Sequence, residues 1–258
     1  MKIATWNVNS IRSRLAIAQD WLTANPVDVL CLQETKVIDP DFPREPFEAL
    51  GYHLAIAGQK SYNGVAIFSR QPLADVKIGF EPVLGVTELD QQKRVISGVI
   101  NGIRVVNLYV PNGSAVGSEK YEYKLTWLAA LKSYLSQLKI KDAQLCVCGD
   151  FNIALEDRDI YEPKAENQVG ASPTERAALQ SVLELGLTDA FRQFTQEAGH
   201  YSWWDYRQGG FQRDRGWRID HIYLTPELSK RAISCTIDRE PRQREKPSDH
   251  TPVIVELE

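Results

Sequence analysis

The stretch Leu145-Cys146-Val147-Cys148-Gly149-Asp150-Phe151-Asn152 decides how the rest of the chain is understood. Its four leading apolar residues predict a strand buried on both faces, and Gly149 breaks the run. Just past the break, Asp150 and Asn152 stand two apart, so an extended chain would point both side chains the same way. A buried strand ending in a carboxylate and an amide puts groups that are costly to dehydrate where water is scarce. Gly, Asp and Asn are also ordinary turn formers. The stretch alone is balanced between a turn and the rim of an active site, and the other strand ends must decide.

Immediately upstream, residues 95–100 and 103–110 form two apolar runs separated by Asn101-Gly102, a strong hairpin signal. The second run ends in Tyr109, Val110, Pro111 and Asn112. A helix with Leu125, Leu128, Leu131, Leu135 and Leu138 on one face then leads back to the opening stretch. The start of the chain repeats this pattern. Residues 3–8 predict a strand ending at Asn7 and Asn9, and Leu15, Ala18, Trp21 and Leu22 recur at helical spacing. Residues 27–32 then predict a second buried strand, followed by Gln33, Glu34, Thr35 and Lys36. Strand, helix, strand thus occurs twice, and every strand of both units ends in polar residues. A single doubly wound sheet fits that order. The tandem hairpins, including one over residues 52–57 and 64–69, favour two facing mixed sheets with helices outside, a four-layer α/β sandwich.

Elsewhere the patterning is weaker. Residues 71–92 predict edge strand and loop, and the loop over 154–171 is too polar for core. Ser172-Pro173-Thr174-Glu175 is a helix start with a Ser cap, Pro at the first position and Glu at the third. Its free N–H groups would suit either a DNA phosphate or simple capping. Residues 218–224 and 246–257 predict the last strands. No linker composition intervenes, so residues 1–258 are expected to form one domain.

With 258 residues and a net charge of −4, the chain can bury a large core, and its charge names no partner. None of the four cysteines is in a Cys-x-x-Cys pair and three lie in apolar runs, which suggests reduced core thiols in a reducing compartment. There is no signal peptide or membrane-length apolar run, so a soluble, intracellular protein without a membrane partner is expected. Between residues 207 and 246, ten Lys or Arg face six Asp or Glu, which is either a phosphate-binding strip or a solvated face.

The strand ends together offer Asn7, Glu34, Tyr109, Asn112, Asp150, Asn152, Asp220, Asp249 and His250. Singly, each is better explained as a turn, a solvated acid or a salt bridge. Collectively their carboxylates and amides are hard oxygen donors of the kind magnesium takes, and no Cys/His spacing suggests zinc. A divalent ion with one histidine and spare carboxylates suits attack of water on a phosphodiester.

Trp6-Asn7-Val8-Asn9, Leu32-Gln33-Glu34-Thr35-Lys36, Tyr109-Val110-Pro111-Asn112, Gly149-Asp150-Phe151-Asn152, Arg218-Ile219-Asp220 and Ser248-Asp249-His250 resemble, in that order, the exonuclease III class of abasic-site endonucleases. The resemblance implies a place in the endonuclease/exonuclease/phosphatase superfamily and its four-layer α/β sandwich. It implies Glu34 as the principal magnesium ligand (manganese a possible substitute), with Asn7 and Asp249 close by. Asp150 would activate or orient the water, with Asn152 as its companion at the phosphate or a second metal. His250 backed by Asp220 would face the phosphate, with Tyr109 beside it. Asn9 stands where relatives carry Asp. Residues matching Trp203, Trp217 and Ile219 line the family's pocket for a flipped-out abasic sugar, although any single Trp is more often core.

The implied activity is cleavage 5′ to abasic sites in double-stranded DNA, leaving a 3′-hydroxyl, with 3′-exonuclease and 3′-phosphodiesterase or phosphatase side activities. The implied partner is DNA with abasic sites or blocked 3′ ends, met by a monomer in a prokaryotic cytoplasm. A phosphomonoesterase of the same superfamily and a damage-binding module with little catalysis are the alternatives.

Overall fold

The computed structural model describes residues 1–85, 88–163 and 168–258, apart from the side chain of residue 140. The expected loops over 71–92 and 154–171 therefore lie partly outside the described residues. Two six-stranded mixed sheets face each other. The first comprises β1 (Lys2–Asn7), β2 (Val29–Gln33), β3 (His53–Ala57), β4 (Val65–Ser69), β11 (Ala232–Ile237) and β12 (Val253–Leu257). The second comprises β5 (Ala74–Ile78), β6 (Val95–Ile100), β7 (Ile103–Tyr109), β8 (Leu145–Asp150), β9 (Thr188–Asp189) and β10 (Asp220–Leu224). Their orders are β11-β12-β1-β2-β4-β3 and β5-β6-β7-β8-β10-β9.

The repeat in the sequence is the repeat in the fold. Helix α1 (Leu15–Ala24) connects β1 to β2, helix α2 (Glu119–Lys141) connects β7 to β8, and both pairs run parallel. A parallel pair needs such a crossover, whereas the remaining neighbours are antiparallel. The Asn101-Gly102 turn has both residues at positive φ and sets Ile100 opposite Ile103.

Strand alternation builds the layers. Cys146 and Cys148 face the core between the sheets with Ile3, Val29, Ile67 and Val105. Leu145 and Val147 face outward, onto Leu128, Leu131, Leu135 and Leu138 of α2 and onto Leu179 and Val182 of α3 (Pro173–Leu183). On the opposite side Ala4, Trp6, Leu30 and Phe68 pack under Ala18, Trp21 and Leu22 of α1. A polar seam crosses the inter-sheet core near one rim. Gln33 Nε2 donates to Asn107 Oδ1 at 2.7 Å, and Asn107 Nδ2 donates to the carbonyls of Leu32 and Ala66. Buried amides hydrogen-bonded from one sheet to the other in this way fix the sheets' relative position where the site forms. All four cysteines are free and buried. Among the described residues no helix is long and apolar enough to cross a membrane.

Three expectations need correction. Gly149 does not end the strand, because β8 runs through to Asp150. Gly149 has φ +147, and a Cβ there would stand 2.0 Å from the Leu108 carbonyl oxygen, so only glycine lets β7 and β8 stay paired. Asp150 and Asn152 face the same way, but not through an extended chain. Asn152 is left-handed (φ +51), and its N–H turns back to Asp150 Oδ1 at 2.9 Å. The loop after β8 is not all surface either: Ala154, Asp159 and Ile160 are buried. Arg218 and Arg192 supply the counter-charges that let Asp159 lie inside.

Candidate active site

The polar ends of β1, β2, β7, β8 and β10 meet at one rim of the sandwich with the turn carrying Ser248, Asp249 and His250. That turn is pinned by Ser248 Oγ donating to the Asn7 carbonyl (2.7 Å), Trp6 Nε1 donating to the His250 carbonyl (3.3 Å) and Thr251 N donating to the Ser202 carbonyl (2.9 Å).

Asp150 is central. Asn7 Nδ2 donates to Asp150 Oδ2 (2.8 Å) and to Glu34 Oε1 (2.9 Å), spanning two carboxylates, while its own Oδ1 accepts from Asn9 N. His250 Nε2 lies 3.7 Å from Asp150 Oδ2. On the ring's other side, Nδ1 donates to Asp220 Oδ2 at 2.9 Å, and Ser202 Oγ donates to that same oxygen at 2.7 Å. Burial alone would push the imidazole down, but the carboxylates of Asp220 and Asp150 outweigh it and raise His250 to about 10. The flanking carboxylates thus favour the imidazolium form of His250 at neutral pH. Burial pushes Asp150 up to about 7; the His250 charge opposes this, and Asp220 and Glu34 add to it. Glu34 is lowered despite its burial, because Lys36 stands 2.8 Å from Oε2 and Asn7 donates to the other oxygen. Tyr109 is pushed well above the ordinary phenol range by burial and by the neighbouring Glu34 and Asp150 charges.

Ligand atoms of Glu34, Asp150 and His250 lie within 4.8 Å of one another. Two of the three are hard carboxylates, held close together by Asn7 and both buried or nearly so. That set suits a small divalent cation, whose charge would offset the burial and the neighbouring negative charges that raise Asp150. Asp249 and Asn152 lie outside this trio. Asp249 Oδ1 accepts from Asn9 Nδ2 (2.9 Å) and Oδ2 from Trp203 Nε1 (3.0 Å), and these donors with the His250 charge hold it low despite burial. Asn9 also accepts from Lys36 Nζ at 2.6 Å, so it links Asp249 to the Glu34 side of the site. Asn152 Nδ2 donates to the Val110 carbonyl, and Asn112 Nδ2 donates to Asn152 Oδ1 at 3.1 Å.

A pocket of about 350 Å³ opens onto this cluster, lined by Glu34, Tyr109, Asn112, Asn152, Asp249 and His250 and, on its apolar side, by Trp203, Trp217 and Ile219. Every site residue singled out in the sequence is at this pocket or one hydrogen bond from it. Trp203 and Trp217 are paired through backbone N–H···O bonds of 2.9 Å and meet edge to face, with ring centroids 6.3 Å apart. Trp204, by contrast, is wholly core. Gly170 forms part of the floor; a Cβ there would meet Asn152 O at 3.1 Å and Trp217 Cζ3 at 3.2 Å.

The basic strip is smaller than the sequence count suggested. Arg218 and Arg242 are buried, and Arg239 is paired with Asp214. Arg218 points away from the pocket into an ion cluster with Asp159 and Asp189, and donates to His221 Nδ1. It anchors the segment that carries Trp217 and Ile219. At the Ser172 helix start the N–H groups of Ser172 and Glu175 are already taken up within the cap. Ser172 is buried, and its capping box with Glu175 is closed. Sequence reasoning also missed Lys124, wholly buried beneath Asn112 and Asn152. Its position three after Tyr121 and four before Leu128, on the apolar stripe of α2, was the available signal.

Two facing mixed sheets with an acid–histidine cluster at one rim define a hydrolase of the α/β-sandwich class. The profile of the Endonuclease/Exonuclease/phosphatase family matches residues 4–250. An exodeoxyribonuclease of Bacillus subtilis is 37% identical over 259 residues, spanning 98% of each chain. Exodeoxyribonuclease III of Haemophilus influenzae is 35% identical over 270 residues, spanning 100% of both. Among solved structures, a 3′ phosphatase from Neisseria bound to a product DNA hairpin superposes with TM-score 0.95 at 43% identity, covering 100% of this chain and 99% of that one. An AP endonuclease from Archaeoglobus fulgidus gives TM-score 0.95 at 42% identity with the same coverage. The chain belongs to the Endonuclease/Exonuclease/phosphatase family, in its exonuclease III branch, and is a hydrolytic nuclease.

Proposed function

We propose that this chain is a magnesium-dependent DNA-repair hydrolase that cuts the phosphodiester 5′ to abasic sites in double-stranded DNA, leaving a 3′-hydroxyl. The same pocket would serve 3′-exonuclease and 3′-phosphodiesterase or phosphatase activity. The observation that carries this reading is the shared pocket: one wall is Glu34 and His250, with Asp150 buried directly behind them, and the other is Trp203, Trp217 and Ile219. At about 350 Å³ it lies near the small end of the roughly 300–1,000 Å³ range of ligand pockets. That volume suits a bare deoxyribose and its phosphate better than a nucleotide that keeps its base. Extruding a nucleotide costs a few kcal/mol, least where the base is already missing. DNA is what the exodeoxyribonuclease relatives act on by name, and the Neisseria structure holds a DNA product.

Glu34 and Asp150 are the residues that would hold magnesium, or manganese in its place, with Asn7 and Asp249 bordering them. When bound, the ion supplies charge neutralisation at the phosphoryl oxygen. Asp150, at the centre of the cluster and joined to Glu34 through Asn7, orients the attacking water and accepts its proton. His250, kept cationic by Asp220, donates a hydrogen bond and charge to the phosphate as negative charge builds on it. Tyr109, kept protonated, offers a hydroxyl beside it. Asn112 and Asn152 present a linked pair of side-chain amides to the same group.

The test compares three duplexes with and without a chelator: one with an abasic analogue, one intact, and one with a 3′-phosphate. Metal-dependent incision immediately 5′ to the analogue, leaving a 3′-hydroxyl, is expected. Cleavage of a small phosphomonoester with none of the abasic duplex would replace this reading with a phosphatase.

A further inference from the structure

We propose that the buried ion pair of Lys124 and Glu175 is a positioning device that sets Asn112, Asn152 and the Gly170 floor of the pocket. The inference rests on the proposed function for its activity readout. Both side chains are 0% exposed, with Lys124 Nζ 2.5 Å from Glu175 Oε1. Lys124 has two further acceptors, the carbonyls of Asn152 (2.9 Å) and Asn112 (3.2 Å). Its three donors are therefore used completely, and two of them hold the backbones of the residues whose amides face the pocket. Glu175 is equally occupied. It accepts from Gly170 N through both oxygens (3.0 and 2.9 Å) and from Ser172 Oγ (2.6 Å).

Stability alone is a poor reason for this pair. A buried ion pair is often no more stabilising than apolar residues of the same volume, since dehydrating both charges offsets their attraction. Here α2 and α3 already meet through Leu128, Leu131, Leu179 and Val182. What apolar residues could not supply is a donor for two carbonyls at the mouth of the site. Asn152 most depends on one, because its left-handed backbone (φ +51), which Asn adopts more readily than other residues with a Cβ, leaves its carbonyl outside the β8 ladder. Lys124 holds the carbonyl of that residue, and Asp150 Oδ1 holds its N–H. The pair thereby links α2, α3, the end of β8 and the loop bearing Gly170, so that the Asn152–Asn112 hydrogen bond forms in one place. Lys124 and Glu175 touch neither substrate nor reacting atoms and act through the asparagines.

The double variant Lys124→Met/Glu175→Gln removes both charges together, leaving no unpaired buried ion. Leu128→Ala, a core truncation on α2 one turn beyond Lys124, controls for lost stability. Melting temperature, kcat and KM on the abasic duplex, and the side-chain amide NMR signals of Asn112 and Asn152 are measured for both and for wild type. The double variant is expected to fold, to keep KM within about twofold, and to lose kcat about tenfold to hundredfold, the range that follows from misplacement on the ångström scale. Its two asparagine amide signals should move, while Leu128→Ala lowers melting temperature with kcat and those signals unchanged. Wild-type kcat and unmoved amides in the double variant would overturn the inference, as would an equal loss of kcat in Leu128→Ala. Inactive wild-type protein would instead defeat the proposed function, and the amide signals would still decide the positioning role.

Discussion

Replacing Trp217 with alanine separates a specificity pocket from a piece of core. The indole is only partly buried and packs with Trp203, Ala154, Ile160 and Ile219 in a small satellite cluster away from the main cores. Trp→Ala in a closed core costs about 3–5 kcal/mol. For a ring partly in solvent, with one edge-to-face partner, roughly 1–2 kcal/mol is expected. Backbone pairing with Trp203 survives, because it uses only main-chain atoms. For a chain of this size that loss lowers the melting temperature by about 2–8 °C. Function should suffer more selectively. Opening the apolar wall removes contact with a bare sugar and makes room for a base. Single-turnover incision of the abasic duplex should fall about tenfold, close to 1.4 kcal/mol, while cleavage of intact nucleotides falls less or rises. The assay is the ratio of those two rates, measured with a melting curve on the same preparation. A loss of 3 kcal/mol or more with an unchanged ratio would refute the pocket and make Trp217 a core residue.

Asp150→Asn should leave DNA affinity near wild type while kcat drops about 10²–10⁴-fold; a raised KM with kcat preserved would make Asp150 a binding residue. Glu34→Gln keeps shape and loses charge, so incision should fall most at limiting magnesium and recover partly as magnesium is raised, and equal activity at all concentrations would remove Glu34 from the metal. Asp159 carries a pH prediction. Although burial works against it, Arg218 and Arg192 hold its carboxyl at about 2, below the usual 3.8. A lowered folded-state value stabilises the protein above about pH 4, and that contribution is lost as pH falls toward 2. The pair of values corresponds to roughly 2 kcal/mol. Asp159→Asn should cost about 3–5 kcal/mol at neutral pH by stranding buried arginines, and should flatten the acid limb of the stability curve measured by urea titration. An acid limb parallel to wild type would contradict this assignment.

Much of the fold was legible because its signals are local. Alternating and continuous apolar runs, the Asn101-Gly102 turn and the repeated strand–helix–strand unit all show in adjacent residues. The site was legible for a related reason: strands ending at one rim bring their terminal side chains together, so Asn7, Glu34, Tyr109, Asp150 and Asp220 could be collected without knowing a distance. What was hidden depends on separation in sequence. Whether Arg218 belongs to a surface strip or to an ion cluster turns on Asp159 and Asp189, 59 and 29 residues away. Lys124 looks like any helix lysine until Glu175, 51 residues on, is found beneath it. The left-handed turn at Asn152 escaped notice because Asp150-Phe151-Asn152 fits an extended strand equally well. Asp249 is similar: its neighbours in sequence do not reveal that Asn9 and Trp203 occupy both its oxygens.

The central claim is hydrolysis by water activated at Asp150 and delivered 5′ to an abasic sugar. Its most direct test is a single turnover in ¹⁸O-labelled water on a duplex containing one tetrahydrofuran abasic analogue, followed by mass analysis of both fragments. Attack of water at phosphorus leaves a single solvent oxygen in the 5′-phosphate of the downstream fragment and an unlabelled 3′-hydroxyl upstream. Label in the upstream fragment, or incision that leaves the phosphate on the 3′ side, would contradict it.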